Sequence, residues 1–147
     1  MRAALDQARK ALDQREVPIG AVVSIDGAIV ASGFNQPIST NDPTAHAEIV
    51  ALRAAARAVG NYRLTGATMC VTLEPCAMCV SALIHARVGT LIFGALEPKT
   101  GAVQSALKLL ADPSWNHRVD VVSGVLAEDC RDIVQEFFRQ RRIQERF

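Results

Sequence analysis

No apolar run in these 147 residues approaches the eighteen or more that a membrane-crossing helix needs. Met1 to Glu16 carries charges throughout and lacks the apolar core of a secretory leader. Neither sign of charge dominates: sixteen basic against fifteen acidic side chains leave +1, so net charge gives no reason to expect nucleic acid. Cysteine is sparse, at four, which suits a reducing compartment better than a disulfide framework. Low-complexity segments, repeats and long linkers are also missing. These absences argue against a membrane protein and a secreted disulfide scaffold, and lead us to expect a cytoplasmic location. What remains is a chain with half of its residues hydrophobic, which fits one globular domain spanning 1–147 with a substantial core.

The chain reads as alternating helices and strands. A helix is expected over Met1 to Gln14, then strands over Ile19 to Ile25 and Ala28 to Ser32, joined by Asp26-Gly27, a two-residue hairpin signal. There follow a helix over Ala45 to Val59, a strand over Ala67 to Leu73, a helix over Cys76 to Ala86 and a strand over Thr90 to Gly94. The last third holds a helix-like run at Val103 to Leu110, a strand near Val119 to Val122, and a closing helix from Ala127 to Arg142. Strands alternating with helices imply a layered α/β sandwich. About two dozen residues separate Gly94 from the last strand, long enough for a parallel crossover where a hairpin would be short.

Chemistry concentrates in two short segments. His46-Ala47-Glu48 supplies one metal-ligand side chain and an acid, and Pro75-Cys76-Ala77-Met78-Cys79 supplies two more ligands. Three protein ligands leave a fourth zinc position for water, the arrangement of a catalytic site. A carboxylate that does not bind metal, Glu48, is then free to carry the water's proton to a leaving amine. The spacing makes sense if each segment opens a helix. Cys76 and Cys79, three apart, share a helical face. Pro75 suits a first turn, and thiolates at a helix N-terminus are stabilised by its dipole. Asp42-Pro43-Thr44 supplies capping residues before the second helix.

Plainer readings of the same residues exist. Cys-x-x-Cys alone is compatible with half of a structural zinc knuckle or a redox pair. A structural site needs a fourth ligand, and Cys70 in the apolar strand-like run and Cys130 in a helical stretch read better as small buried hydrophobes. The combination of His-x-Glu with Pro-Cys-x-x-Cys is the known signature of zinc nucleobase deaminases.

Nearly the whole chain resembles one family, the bacterial tRNA-specific adenosine deaminases of the cytidine-deaminase-like fold. The likeness runs through Val17-Pro18-Ile19-Gly20-Ala21-Val22, Phe34-Asn35-Gln36-Pro37-Ile38, Asp42 to Ile49, Asn61-Tyr62-Arg63-Leu64, Thr72 to Cys79, Phe93-Gly94-Ala95, Lys99-Thr100-Gly101-Ala102, Asn116-His117-Arg118-Val119 and Phe137-Phe138-Arg139. The zinc motif is shared across the superfamily. The asparagine-proline loop, the lysine-threonine-glycine loop and the phenylalanine pair before the arginines narrow it to the tRNA enzymes.

The resemblance implies a three-layer α-β-α sandwich around a five-stranded mixed sheet, one Zn²⁺ per chain, and a homodimer acting on a tRNA anticodon stem-loop. The implied reaction is hydrolytic deamination of adenosine to inosine at the wobble position, with zinc-activated hydroxide attacking C6 of a flipped adenine and Glu48 shuttling protons. His46, Cys76 and Cys79 would be the metal ligands. By position, Asn35 would hydrogen-bond the purine edge, the Ala47 N–H would help hold the base, and Val17 would line the pocket. Alone, Asn35 beside Gln-Pro reads as a turn residue. Glu97 stands where the family carries aspartate, at a position that meets the ribose before the target base, so its reach is longer by a methylene. Val103-Gln104-Ser105 replaces a glycine-serine pair.

Phe138, Arg139 and Arg141 in the closing segment, with Lys99 in its loop, are candidates for base stacking and phosphate contact. Against this, the phenylalanines suit a packed terminal helix and the arginines a solvated face nearly balanced by acids. We expect one phenylalanine in the core and some arginines on RNA. His85 reads as a hydrogen-bonded structural histidine. His117 is open between structure and RNA, and Trp115 between core lid and interface anchor. Ala77 to Ile84 is apolar almost all round, suiting a helix covered on two sides, by the sheet and either by a partner subunit or by a larger core of the same chain. Two other functions fit the zinc motif: deamination of a free base or nucleoside such as guanine or cytosine, and a non-catalytic zinc-stabilised binding module.

Overall fold

Alternation along the strands sets the layers. In a computed structural model describing residues 1–147, Ala21 and Val23, Met69 and Val71, and Leu91 and Phe93 turn to one face of the sheet and join a single core cluster. Val22 and Cys70 turn to the other face, as side chains of period two must.

The chain order is α1 (Arg2–Asp13), β1 (Gly20–Ile25), β2 (Ala28–Phe34), α2 (Pro37–Thr40), α3 (Ala47–Val59), β3 (Thr68–Leu73), α4 (Ala77–His85), β4 (Thr90–Ala95), β5 (Asp120–Val122) and α5 (Ala127–Gln144). The five strands form one mixed sheet in the order β2-β1-β3-β4-β5. β1 is antiparallel to both β2 and β3, whereas β3, β4 and β5 run parallel. Helices α1 and α5 cover one face; α3 and α4 cover the other. This is the expected three-layer sandwich, with β5 parallel to β4 as its long connection permits.

Boundaries follow local chemistry. Asp26 (φ 52°) and Gly27 (φ 80°) both lie in the left-handed region, the conformation a tight hairpin between twisted strands demands. β2 runs on through Phe34, two residues past the expected end, and delivers Asn35 directly at its tip. A four-residue helix, α2, starts on Pro37 and was not expected from the pattern.

The run Val103 to Leu110 is not a helix, contrary to expectation. It is a series of turns closed by a short 3-10 segment at Leu109–Ala111. The N–H groups of Val103, Gln104 and Ser105 are drawn to Glu74, and those of Ala106, Leu107 and Leu109 reach the carbonyls of Gly101 and Ala102, more than one helical turn back, so the apolar spacing there serves loop packing.

The topology gathers the interesting segments. Because β1 is antiparallel to β3, the residues entering β1 (Val17 to Ile19), leaving β2 (Asn35), leaving β3 (Glu74 to Cys76) and leaving β4 (Leu96 to Thr100) all emerge on one edge of the sheet. Carboxyl ends of parallel strands are where open α/β sheets hold ligands.

Candidate active site

Two helix starts face each other at that edge. His46 is the N-cap of α3 and Cys76 the N-cap of α4, and neither side chain caps its own helix. Both point to a common centre with Cys79, in the first turn of α4. His46 Nδ1 lies 3.6 Å from Cys76 Sγ and 3.5 Å from Cys79 Sγ, and all three ligand atoms fall within 4.8 Å of one another. The loop before His46 is braced by Asp42, whose Oδ1 accepts the Thr44 N–H at 2.8 Å and the Thr44 hydroxyl at 2.7 Å. Asp42 thus caps a turn, not the helix. Pro75 stands outside the first turn of α4, and its carbonyl accepts the Ala102 N–H at 2.8 Å.

The donor set fits zinc. Tetrahedral coordination with zinc–sulfur near 2.3 Å and zinc–nitrogen near 2.0–2.1 Å puts the two atoms about 3.5–3.6 Å apart, matching both separations. Protonation points the same way. A hydrogen bond from the Cys79 thiol, with a further contribution from His46, holds the Cys76 thiol down at about 4. Cys79 is driven far up by Cys76 and by burial, and His46 is raised by its hydrogen bond to Cys76. A dication displaces the protons such a cluster retains and turns the remaining donors into ligands.

Glu48 lies one helical position beyond Ala47, 4% exposed, and has no ion-pair partner among the salt bridges of the chain. Burial raises its carboxyl above the usual range, offset in part by its own backbone N–H and by Cys79. An acid that is buried, unpaired and next to a ligand set is equipped to take and give up a proton.

Asn35 is 7% exposed, and the turn after β2 is closed by backbone bonds, Asn35 N–H to Ile19 O and Gln36 N–H to Ala45 O, both 3.0 Å. Its side-chain amide is not needed for that turn. Ala47 is fully buried at the first turn of α3, where N–H groups have no helical acceptor. Val17 is half-buried just before β1.

The other expected contacts divide. Glu97, Lys99, Phe138 and Arg139 line one cleft of about 1030 Å³ between the loop after β4 and α5. Glu97 is partly occupied there, accepting the Lys99 N–H at 3.0 Å. Arg139 is held by Glu136 through bonds of 2.6 and 2.8 Å. Arg141 lies elsewhere, over the Phe137 ring at 5.6 Å, while Arg142, not singled out from sequence, lines the cleft. Phe137 is 8% exposed and Phe138 41%, so one phenylalanine is core and one is available.

His117 has a structural role, its Nε2 bonded to the Val88 carbonyl at 2.7 Å. His85 is not the hydrogen-bonded histidine expected: it is exposed and meets Trp115 edge-on at 6.2 Å. Trp115 packs against the main core and donates to the Leu109 carbonyl. Cys70 and Cys130 are buried free thiols.

Two buried acids escaped the sequence reading. Glu16 (1% exposed) accepts the Ser39 N–H at 2.8 Å and tethers α2. Glu74 (3% exposed) collects five donors from the loop after β4. Burial would raise the Glu74 carboxyl, but the Gln104 N–H, the Ser105 hydroxyl and further backbone donors outweigh it and hold it low. The one signal available was an acid at the end of an apolar strand.

Comparison with known proteins agrees with the geometry. The MafB19-like deaminase family matches residues 1–142. A tRNA-specific adenosine deaminase of Haemophilus influenzae is 48% identical over 97% of this chain and 83% of its own length. One of Agrobacterium fabrum is 44% identical over 99% of this chain and 95% of its own. A solved structure from work on A-to-I editing by tRNA:A34 deaminases at the wobble position superposes with a TM-score of 0.88 at 45% identity, covering 90% of this chain and 96% of that one. No helix here is long and apolar enough to cross a membrane. The chain belongs to the MafB19-like deaminase family, and within it to the tRNA-specific adenosine deaminases.

Proposed function

We propose that this protein hydrolyses adenosine to inosine at the wobble position of a tRNA anticodon. The observation that carries the reading is the pairing of the His46, Cys76 and Cys79 donor set with a buried, unpaired Glu48, in a chain with near full-length tRNA-specific relatives. Zinc held by His46 Nδ1 and the two cysteine sulfurs would lower the pKa of a water to near neutrality and so supply the nucleophile.

The residues of the chain do the rest. Glu48 accepts a proton, delivers it to N1 of the adenine and later helps ammonia leave. Asn35 donates to the purine edge through its amide, the Ala47 N–H steadies the base, and Val17 closes the pocket wall. Glu97, Lys99, Phe138 and Arg139 receive flanking nucleotides in the cleft beside α5, with Arg142 in the place we had given Arg141. A splayed anticodon loop suits such a surface, since its bases can stack and its phosphates meet cations.

We place the reaction in the cytoplasm, which agrees with four unpaired cysteines. We assign a homodimer, because α4 leaves Ala77 exposed and Met78 and Ala82 half-covered on an outer face whose polar members are Ser81 and His85. The test is inosine formation on an anticodon stem-loop with adenosine at the wobble position, beside free adenosine, guanine and cytidine. Inosine only in the stem-loop is expected. Turnover only of a free base or nucleoside overturns the tRNA reading.

A further inference from the structure

Glu74 leaves β3 two residues before Cys76, so its backbone is fixed to the metal-ligand segment. Its carboxylate points the other way, into the loop that leaves β4. Oε2 accepts the N–H groups of Val103 (3.1 Å), Gln104 (2.8 Å) and Ser105 (3.0 Å). Oε1 accepts the Glu97 N–H at 3.1 Å and the Ser105 hydroxyl at 2.5 Å. No cation pairs with it. A buried carboxylate is tolerated when hydrogen-bond donors replace its water, and here all five come from one loop. The fit is close: a Cβ on Gly101 would overlap the Glu74 carboxyl carbon.

The far side of this loop bears Glu97, Lys99 and Thr100, one wall of the cleft beside α5. That cleft contains none of His46, Glu48, Cys76 or Cys79. Glu74 is the side chain that ties the two together, one end covalently next to Cys76 and the other gripping the cleft wall. A substrate that spans both regions is gripped at both at once only when their separation is held fixed, which raises its overall affinity.

Resting on the tRNA reading above, we propose that Glu74 is a positioning residue for the RNA, holding the Glu97 to Ser105 loop at a set offset from Cys76 so that flanking nucleotides and target base are engaged together. Glutamine in its place would turn an N–H₂ toward N–H donors and release the loop. Contacts to flanking nucleotides are made alike in ground and transition states, so their loss raises KM more than it lowers kcat.

The experiment uses full-length zinc-loaded protein, Glu74→Gln and Ser105→Ala, and reads zinc per chain, amide hydrogen exchange, and kcat and KM on the anticodon stem-loop. For Glu74→Gln we expect zinc at the wild-type level and exchange at the Glu97, Val103, Gln104 and Ser105 amides at least about tenfold faster. KM should rise about ten- to hundredfold with kcat within about threefold. Ser105→Ala removes one loop-side contact and should move the same quantities the same way by smaller factors, which keeps the test decisive should Glu74→Gln not fold. Zinc lost in step with activity, KM unchanged despite faster exchange, or a fall confined to kcat overturns the proposal. A wild-type protein that leaves the stem-loop unreacted overturns the tRNA reading itself, and is seen before any variant is compared.

Discussion

Replacing Gly33 by alanine tests how tightly the metal cluster is seated on the sheet. Gly33 lies in β2 under α3, and a Cβ there would stand 2.7 Å from the Ala51 nitrogen, 2.8 Å from the Ala47 carbonyl oxygen and 2.9 Å from the Val50 Cβ. Two of these three are backbone atoms, so no rotamer change relieves the clash. The helix must withdraw by at least about 0.7 Å to reach ordinary van der Waals contact. Overpacking of this kind costs about 1–3 kcal/mol, which lowers Tm by roughly 2–10 °C for a chain of this size. The withdrawn carbonyl belongs to the residue after His46, whose ring sits 3.5 Å from Cys79 Sγ and 3.6 Å from Cys76 Sγ. Metal–ligand distances tolerate about 0.2 Å. Zinc affinity should therefore fall together with stability. Calorimetry with and without zinc, and a chelator competition, measure both: the variant should melt lower and gain less from added zinc, since stabilisation by a ligand follows its affinity. An unchanged Tm and an unchanged chelator midpoint would refute the argument.

Further outcomes follow from the same geometry. Phe137→Ala should destabilise by about 3 kcal/mol or more because that ring is buried. Phe138→Ala should cost under about 1 kcal/mol in stability yet weaken stem-loop binding about tenfold if a base stacks on it; chemical denaturation and KM measurements separate the two. The Glu136 carboxyl is held at about 2 by Arg139 and Gln140. Its folded pKa lies below the unfolded value of about 4.3, so its contribution is complete above that pH and lost as pH falls through about 2. An NMR titration should find that low midpoint in the wild type and a higher one in Arg139→Ala, where only the Gln140 bond still holds the carboxyl down. Stripping zinc with a chelator should open Cys76, held as a thiolate with a pKa of about 4, to rapid alkylation. Cys130, raised to about 11 by burial, should stay unreactive until the protein unfolds.

The His46, Cys76 and Cys79 cluster could be read from the sequence because its information is local: two helix starts, each with a metal-binding side chain at its N-cap, announce themselves in short motifs. The Asp26-Gly27 hairpin is equally local. Glu74 and Glu16 were invisible because their partners, the Ser105 hydroxyl apart, are backbone N–H groups 22 to 31 residues away in sequence, and a backbone amide has no letter in the sequence. At Val103 to Leu110 apolar spacing suggested a helix, but the N–H groups of Ala106, Leu107 and Leu109 reach carbonyls at Gly101 and Ala102 instead of one helical turn back, while Glu74 gathers those of Val103 to Ser105. Arg141 and Arg142 are neighbours with the same chemistry. Which of them faces the cleft depends on where the Phe137 ring docks, and that is a tertiary fact. His85 departs from expectation for a related reason: the ring it meets, Trp115, comes from a loop thirty residues on.

We propose that Glu48 moves protons beside a metal it does not bind. Glu48→Gln, an isosteric change that removes the titrating oxygen, should keep zinc at the wild-type level and lower kcat for inosine formation on the stem-loop by about 10²- to 10⁴-fold. Zinc retained with activity within a few-fold of wild type would exclude that role, and so would loss of zinc, which would make Glu48 a ligand.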